Sequence, residues 1–332
     1  MNELFPISTH SEILSKAAQI YDIYHDESKE DAYWHGFLMV PRENRDNLLM
    51  LLNQARINIG YHEEISYKHI RRRAKAHHHK PKLIESWCSI MLAALQQQKH
   101  NRLITSFHLG GKKYEKKYVR QLDTLLKCKF VVFREKDNHD KMYAHMDELK
   151  CIETTFRMGL KGGIHSLFNK DNPVTIGNIY IDGDEHYYGK YGRTLSTARI
   201  LKQFGHQARD YVSFLEDSKI IAQRSNHKKI KKDQETQNSH LLQMCDIFLG
   251  GIRFFSYRPD SKHVKYKISY PCRILLEHDL ANVARMSNSR FYNAFLLSAA
   301  HLIGDKWSFD YLKPSVDIRI RKERQLCMEY YN

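Results

Sequence analysis

The chain has 332 residues, with 53 Lys and Arg against 38 Asp and Glu, a formal net charge of +15 with histidine neutral. Hydrophobic residues make up 42% and charged residues 27%, an ordinary globular composition that excludes collagen-like and disordered classes. The longest apolar run, Ile90 to Leu95, falls far short of the roughly 20 residues that cross a bilayer, and the opening Met1-Asn2-Glu3-Leu4-Phe5-Pro6 lacks the basic-then-apolar pattern of a secretion signal. The expectation is a cytoplasmic protein without a membrane partner.

Apolar periodicity alternates between strand-like and helix-like stretches. In chain order it predicts strands at Gln19 to Asp26 and Tyr33 to Val40, joined as a hairpin, a helix at Asn44 to Asn58, and a strand at Glu64 to Ile70. Helices at Lys82 to Gln98 and Tyr118 to Leu126, a strand at Phe130 to Arg134 and a helix at Lys141 to Leu167 follow. Strands at Val174 to Asp182 and Tyr211 to Ile221 flank a helix at Thr194 to Phe204, and a helix spans Ser239 to Phe255. Beyond it come helical stretches at Cys272 to Arg285 and Ser289 to Ile303, a short apolar segment at Val316 to Ile320 and a basic tail. The pattern is α/β: a mixed sheet with helices on its faces over residues 1–255, followed by a mostly helical extension over 256–332. The run from Gln223 to Asn238 is polar and Lys-rich and reads as a loop.

Six cysteines at least 23 residues apart, with no Cys-x-x-Cys pair, give neither a zinc module nor a disulfide framework. His77-His78-His79 sits among seven Lys or Arg in the fifteen residues from Lys68 to Lys82, a cationic surface that repels metal. Carboxylates are the more informative group. Tyr24-His25-Asp26-Glu27-Ser28 closes the first strand, with Tyr24 and Asp26 on one face, and Ile179-Tyr180-Ile181-Asp182-Gly183-Asp184 closes another apolar strand with acids. The Ser239 to Phe255 helix places Ser239, Gln243, Asp246 and Gly250 on one face and Leu242, Cys245 and Leu249 on another. Glu63-Glu64 opens the strand between. Each acid has an ordinary structural reading, as a turn former or an ion-pair partner. Together, carboxylates from strand ends and one helix suit a hard divalent cation held through oxygen. Two such ions about 4 Å apart activate water in phosphodiester cleavage.

These residues resemble a bacterial domain-of-unknown-function family with a ribonuclease H-like fold, whose marks are a Tyr-x-Asp-Glu-Ser opening and a Leu-Gln-x-x-Asp helix. The resemblance rests on Tyr24 to Ser28, a Glu64-Ile65-x-x-Lys68 segment, Asp217-Ser218-Lys219 and Leu241 to Gly251, and it spans roughly residues 19–254. It implies a metal-dependent nuclease using Mg²⁺ or Mn²⁺, with its first acid at Asp26 and its last at Asp246, leaving a 3′-hydroxyl and a 5′-phosphate. The expected catalytic and ligand set is Asp26, Glu64, Asp182 and Asp246, with Asp184, Glu135 and Asp217 open alternatives for the inner acid. A role in phage defence or a mobile element is implied in the same way.

Three basic clusters suit a phosphate backbone: Arg71, Arg72 and Arg73 within Lys68 to Lys82; Lys112 and Lys113 before a Tyr-interleaved stretch; and Lys228, Lys229, Lys231 and Lys232. No base-reading motif accompanies them, so the expected partner is the backbone of RNA, a hybrid or DNA. The alternative reading is a non-catalytic nucleic-acid-binding subunit that meets a protein partner in a larger defence complex.

Overall fold

The protein is described from a computed structural model, which describes residues 18–28, 32–71, 75–76, 78–98, 103–109, 112–119, 124–135, 148–183, 211–229, 233–256, 262–280, 285–303 and 306–311. It is α/β, with a mixed parallel and antiparallel sheet between helices. Strand β1 (Gln19–Ser28) pairs antiparallel with β2 (Trp34–Pro41), which pairs antiparallel with β5 (Lys129–Glu135). On the other side of β1 lies β6 (Val174–Asp182), parallel to it, followed by the short parallel strands β7 (Val212–Phe214) and β8 (Ile220–Gln223). Two further strands, β3 (Leu103–Leu109) and β4 (Lys112–Val119), form a separate hairpin.

One sheet face carries α1 (Arg45–Ile59), α2 (His79–Ala94) and the long α4 (Asp233–Ser256), around Trp34, Leu38, Trp87 and Phe248. The other carries α3 (Glu148–Leu167), whose Phe156, Leu160 and Ile164 meet Ile23, Phe37 and Val131. The sheet is apolar on both sides, which is why β2 and β5 are buried along their whole length rather than alternating with polar residues.

The stretch after residue 255 departs from expectation. It forms α5 (Val264–Ile268) and α6 (Tyr270–Leu280), but the expected helix at Ser289 to Ile303 is instead a turn followed by β9 (Phe295–Ile303). Strand β9 lies parallel to β5 in the main sheet and is itself paired with β10 (Lys306–Tyr311). A short apolar run fits either element, and a slot beside a buried parallel strand selected the strand. The core therefore continues across residue 255, and the described residues beyond it divide between helices and strands of the main sheet.

Other differences have equally local causes. The expected helix at Tyr118 to Leu126 is absent where the chain is described: β4 runs to Val119, and residues 125–128 form no regular element. There Asn44 donates to the Leu126 carbonyl (3.1 Å), the Cys128 N–H donates to Ala94 (2.8 Å), and Lys127 takes a positive φ. The strand expected over Tyr211 to Ile221 is broken into β7 and β8 by a turn at Glu216 and Asp217. The helix expected at Thr194 to Phe204 and the segment Val316 to Ile320 lie outside the described residues, as do 141–147 of the helix realised as α3.

One irregularity sets the geometry of the sheet edge. Between Tyr21↔Ile176 and Ile23↔Ile179, β6 carries an extra residue relative to β1. The bulge is held by Asp22, which accepts from Arg42 Nε (3.0 Å) and Nη2 (3.0 Å) and from the Asn178 N–H (2.8 Å). Position 177 must be glycine there, because a Cβ would overlap the Asp22 carboxylate and the Arg42 guanidinium. Ile176 and Ile179 thus both face α3, whereas an unbroken alternation would send them to opposite faces. Asp22→Ala is expected to cost about 2–3 kcal/mol, the scale of charged hydrogen bonds removed from a partly solvated pair, read as a lower urea midpoint with unchanged slope.

Candidate active site

Strand β1 and the far half of β6 run in parallel register, Tyr24 beside Tyr180 and His25 beside Ile181. Past the bulge, Asp26 and Asp182 therefore end neighbouring strands on the same face, above the stacked rings of Tyr24 and Tyr180 (5.0 Å between centroids). That face is the one covered by α4. Cys245 seats the helix, its Sγ 3.4 Å from both the Tyr24 and Gly36 carbonyls. Gly36 makes the seat possible: a Cβ there would stand 3.2 Å from Leu249 Cβ and 3.3 Å from Cys245 Sγ. Asp246 is the next residue along and is brought to the strand ends.

Glu64 arrives by another route. The segment expected as a strand at Glu64 to Ile70 is an irregular loop over residues 61–71. Its backbone groups bond to helix side chains instead of a neighbouring strand. The Ile65 N–H donates to Gln243 Oε1 (3.2 Å), the Tyr67 N–H to Asp246 Oδ2 (2.9 Å), and Arg56 Nη1 donates to the carbonyls of Tyr61 (3.3 Å) and Glu63 (2.8 Å). Tyr67 lies so close over Gly250 that a Cβ there would overlap its ring, and its hydroxyl bonds Ser269 (3.0 Å).

Gln243 joins this loop to the one after β8. Its Oε1 also accepts from Arg56 Nη2 (2.8 Å), while its Nε2 donates to the Ser225 carbonyl (2.5 Å) and lies 3.1 Å from His227 Nδ1. Ser225 in turn donates its N–H to Asp182 Oδ1 (3.0 Å) and its hydroxyl to Glu64 Oε1 (3.3 Å). The helix face of Ser239, Gln243, Asp246 and Gly250 is thus the one that gathers both loops.

Electrostatics show that these carboxylates share one environment. Burial pushes Asp26 well above the usual carboxylate range, and the charges of Asp246 and Asp182 push it further. Burial pushes Asp182 up to about 6, with Asp246 and Glu64 adding to the rise against the Ser225 hydrogen bonds. Asp246 is raised by burial against the opposing Tyr67 N–H, Ser66 hydroxyl, Arg253 and His69. Each of the three residues is half-buried, with part of it still reaching solvent. Like charges held together at a sheet edge carry a cost in repulsion that a positive partner would relieve. The donors are all carboxylate oxygens, the chemistry of a hard divalent cation. Among the described residues, however, no three His, Cys, Asp or Glu side chains are drawn together into a coordination shell.

The other acids read from the sequence stand elsewhere. Glu135 ends β5, but alternation with Val131 and Phe133, which meet Gly163 and Gly159, turns it to the α3 face. Asp217 is exposed in the turn between β7 and β8, where its charge acts on Arg42. Asp184 lies outside the described residues. His25 also points away from the carboxylates, in a buried chain with His35 (2.9 Å) and Thr155 beyond it (2.8 Å).

Of the basic residues, Arg71 is exposed at the end of the 61–71 loop, and Lys228 is exposed beside the site in an ion pair with Glu63. Lys229 belongs to the same short turn, Lys112 and Lys113 open β4, and Arg72, Arg73, Lys231 and Lys232 lie outside the described residues. Sequence reading missed Ser66, Ser225, Arg56 and Arg253, none of which stands in a recognisable spacing with the acids. Gln243 was visible only as a polar neighbour on the Asp246 face.

No protein-family model matches the chain, and no curated protein or solved structure shows significant similarity to it.

Asp26→Asn is expected to stabilise the metal-free protein at pH 8, because it removes a carboxylate whose charged form is disfavoured by burial and by the charges of Asp246 and Asp182. The raised carboxyl binds its proton more tightly folded than unfolded, so the cost it imposes is full above its folded value and fades as pH falls through that value towards the unfolded one. Urea melts at pH 8 and pH 5 should therefore show the gain shrinking. Gln243→Ala should destabilise by about 2–4 kcal/mol, because it leaves several buried partners unpaired at once, measured by the same unfolding series.

Proposed function

We propose that the protein is a metal-dependent nuclease of ribonuclease H-like fold, with Asp26, Glu64, Asp182 and Asp246 at its active centre. The observation that carries this reading is the shared electrostatic environment of three aspartates delivered by the first strand, an inner strand and the closing long helix. That is the distribution of acids implied by the Tyr-x-Asp-Glu-Ser and Leu-Gln-x-x-Asp resemblance. A chain charge of +15 supplies the second support, because it favours a polyanionic substrate.

Asp26, Asp182 and Asp246 are the residues that would hold Mg²⁺ or Mn²⁺, with Glu64 at the margin beside Ser225. When bound, the metal supplies Lewis-acid activation of water and stabilises the leaving oxygen of a phosphodiester. The chain's own residues orient the centre. Ser225 fixes Asp182, the Tyr67 N–H fixes Asp246, and Gln243 keeps the two supporting loops in register. Exposed Lys68, His69 and Arg71 on the 61–71 loop, and Arg224 and Lys228 after β8, lie on the two segments that carry Glu64 and Ser225 and offer basic groups suited to phosphates without reading bases. The substrate class is RNA, a hybrid or DNA, cleaved to leave a 3′-hydroxyl and a 5′-phosphate, in a setting such as phage defence or a mobile element.

A second reading, a nucleic-acid-binding subunit that does not cleave and serves a larger complex, draws on the spacing of the carboxylates, which stand near one another but not in a closed coordination shell.

The two readings separate in one experiment. Wild type and the Asp26→Ala/Asp246→Ala double variant are melted with and without Mg²⁺ or Mn²⁺, alongside cleavage of labelled single-stranded RNA, RNA–DNA hybrid and DNA. The nuclease reading expects the metal to raise the melting temperature of wild type only, and cleavage to vanish in the variant. Salt-sensitive binding with neither metal response nor cleavage would leave the second reading standing.

A further inference from the structure

The cations of this chain are segregated from its acids in two places. About one residue in nine is acidic. Yet no acid stands between Glu64 and Glu85 or between Asp260 and Glu277, stretches that carry seven and four Lys or Arg. The first runs from the 61–71 loop into α2, and the second contains α5 and the start of α6. Far apart in sequence, the two stretches meet at one side chain.

Tyr67 makes the junction. Its N–H donates to Asp246 Oδ2 (2.9 Å), its ring lies against Gly250, and its hydroxyl accepts from Ser269 Oγ (3.0 Å). The Lys265 ammonium stands over the same ring, 4.5 Å from the centroid. Val264 and Ile268 turn α5 into the core shared with Ile65, Tyr67 and Ile70, while Lys262, just before the helix, and Lys267, in its last turn, are exposed. Lys68, His69 and Arg71, which follow Tyr67, are exposed as well. A single tyrosine therefore reaches from a carboxylate of the candidate centre to a basic helix. The segment after β8 is built differently, because its exposed Lys228 is paired with Glu63. There the charge of a lysine is cancelled by its neighbour. Where the two acid-free stretches meet, like charges add, and such a sum at a surface attracts a polyanion.

We propose that the face formed by the 61–71 loop and α5 seats the phosphate backbone of a nucleic-acid strand beside the candidate centre, so that the chain beyond residue 255 supplies grip on the substrate. The inference rests on the nuclease reading for the path of the strand, from the carboxylates across Tyr67 to α5. Binding on the face itself needs no metal. Lysines that hold phosphates without reading bases make the grip independent of sequence and steeply dependent on salt.

The test uses the full chain, a Lys262→Gln/Lys267→Gln variant, and a Lys127→Gln/Lys170→Gln control that removes two exposed lysines at the opposite end of the sheet, ahead of β5 and β6. Anisotropy of fluorescein-labelled 20-mers of single-stranded DNA, single-stranded RNA and duplex DNA is measured in EDTA from 50 to 300 mM KCl. Loss of two phosphate contacts should lower the slope of log affinity against log salt by about 1.4 on a single strand or about 1.8 on duplex DNA. The strand form that shows the change is the one seated on the face, and the control should keep the wild-type slope. An unchanged slope in Lys262→Gln/Lys267→Gln overturns the proposal, as does an equal fall in the control. Binding to phosphatidylserine vesicles that falls in the α5 variant while nucleic-acid binding holds would make the partner a membrane surface and overturn it too. Should the α5 variant not fold, Lys68→Gln/Arg71→Gln is judged by the same slopes. Cleavage with Mg²⁺ is read in parallel. A wild type that cuts, with slopes unchanged in the variants, loses only this face. A wild type that binds through this face and never cuts loses only the nuclease reading.

Discussion

The Asp22–Arg42 pair, with the Asn178 N–H as its third member, is the interaction on which the arrangement of the sheet edge depends. It stabilises an extra residue in β6, and that residue reverses the alternation of everything after it. Without the reversal, Asp182 would share a face with the Ile23 side of β1 and look into the apolar layer under α3. With it, Tyr180 stacks on Tyr24, and Asp182 joins Asp26 beneath α4. A carboxylate that is itself no part of the candidate centre thus determines which carboxylates can meet there.

Helix α4 completes the arrangement through close approach. Gly36 lets the helix descend on β2, and Gly250 lets Tyr67 descend on the helix. Both contacts are short because a methyl group is missing, and both bring a polar element within hydrogen-bonding distance of Asp246 or its neighbours. Gln243 then links the 61–71 loop to the loop after β8, using both ends of one amide. The loops carry Glu64 and Ser225, so their placement is inherited from a rigid helix rather than from their own conformational preferences. Irregular segments positioned in this way can hold a charge cluster whose mutual repulsion opposes folding.

Much of the candidate centre was legible in the chain, and the exceptions have identifiable causes. Asp26 and Asp246 were legible because each stands in a strongly patterned element, a strand end and a helix with separable faces. Asp182 was legible as a strand end but not as the choice over Glu135, because the distinction lies in a bulge and in the parity of β5. Glu64 was read on a strand because Ile65 and Tyr67 alternate with polar residues and Ile70 adds a β-branched side chain; the actual partners of these backbone groups are Gln243, Asp246 and a local turn.

The sequence by itself determined the α/β class, the hairpin at its start, most of the strands and long helices, and the acids that end them, because local periodicity encodes which face of an element is apolar. Only the tertiary structure decided the rest. It turned Phe295 to Ile303 into a strand by offering the edge of β5, drew residues 61–71 into a loop by supplying side-chain partners for their backbone, and sorted the acids by face through a single extra residue. These outcomes depend on what lies opposite a segment across the fold, and periodicity along the chain carries no record of that.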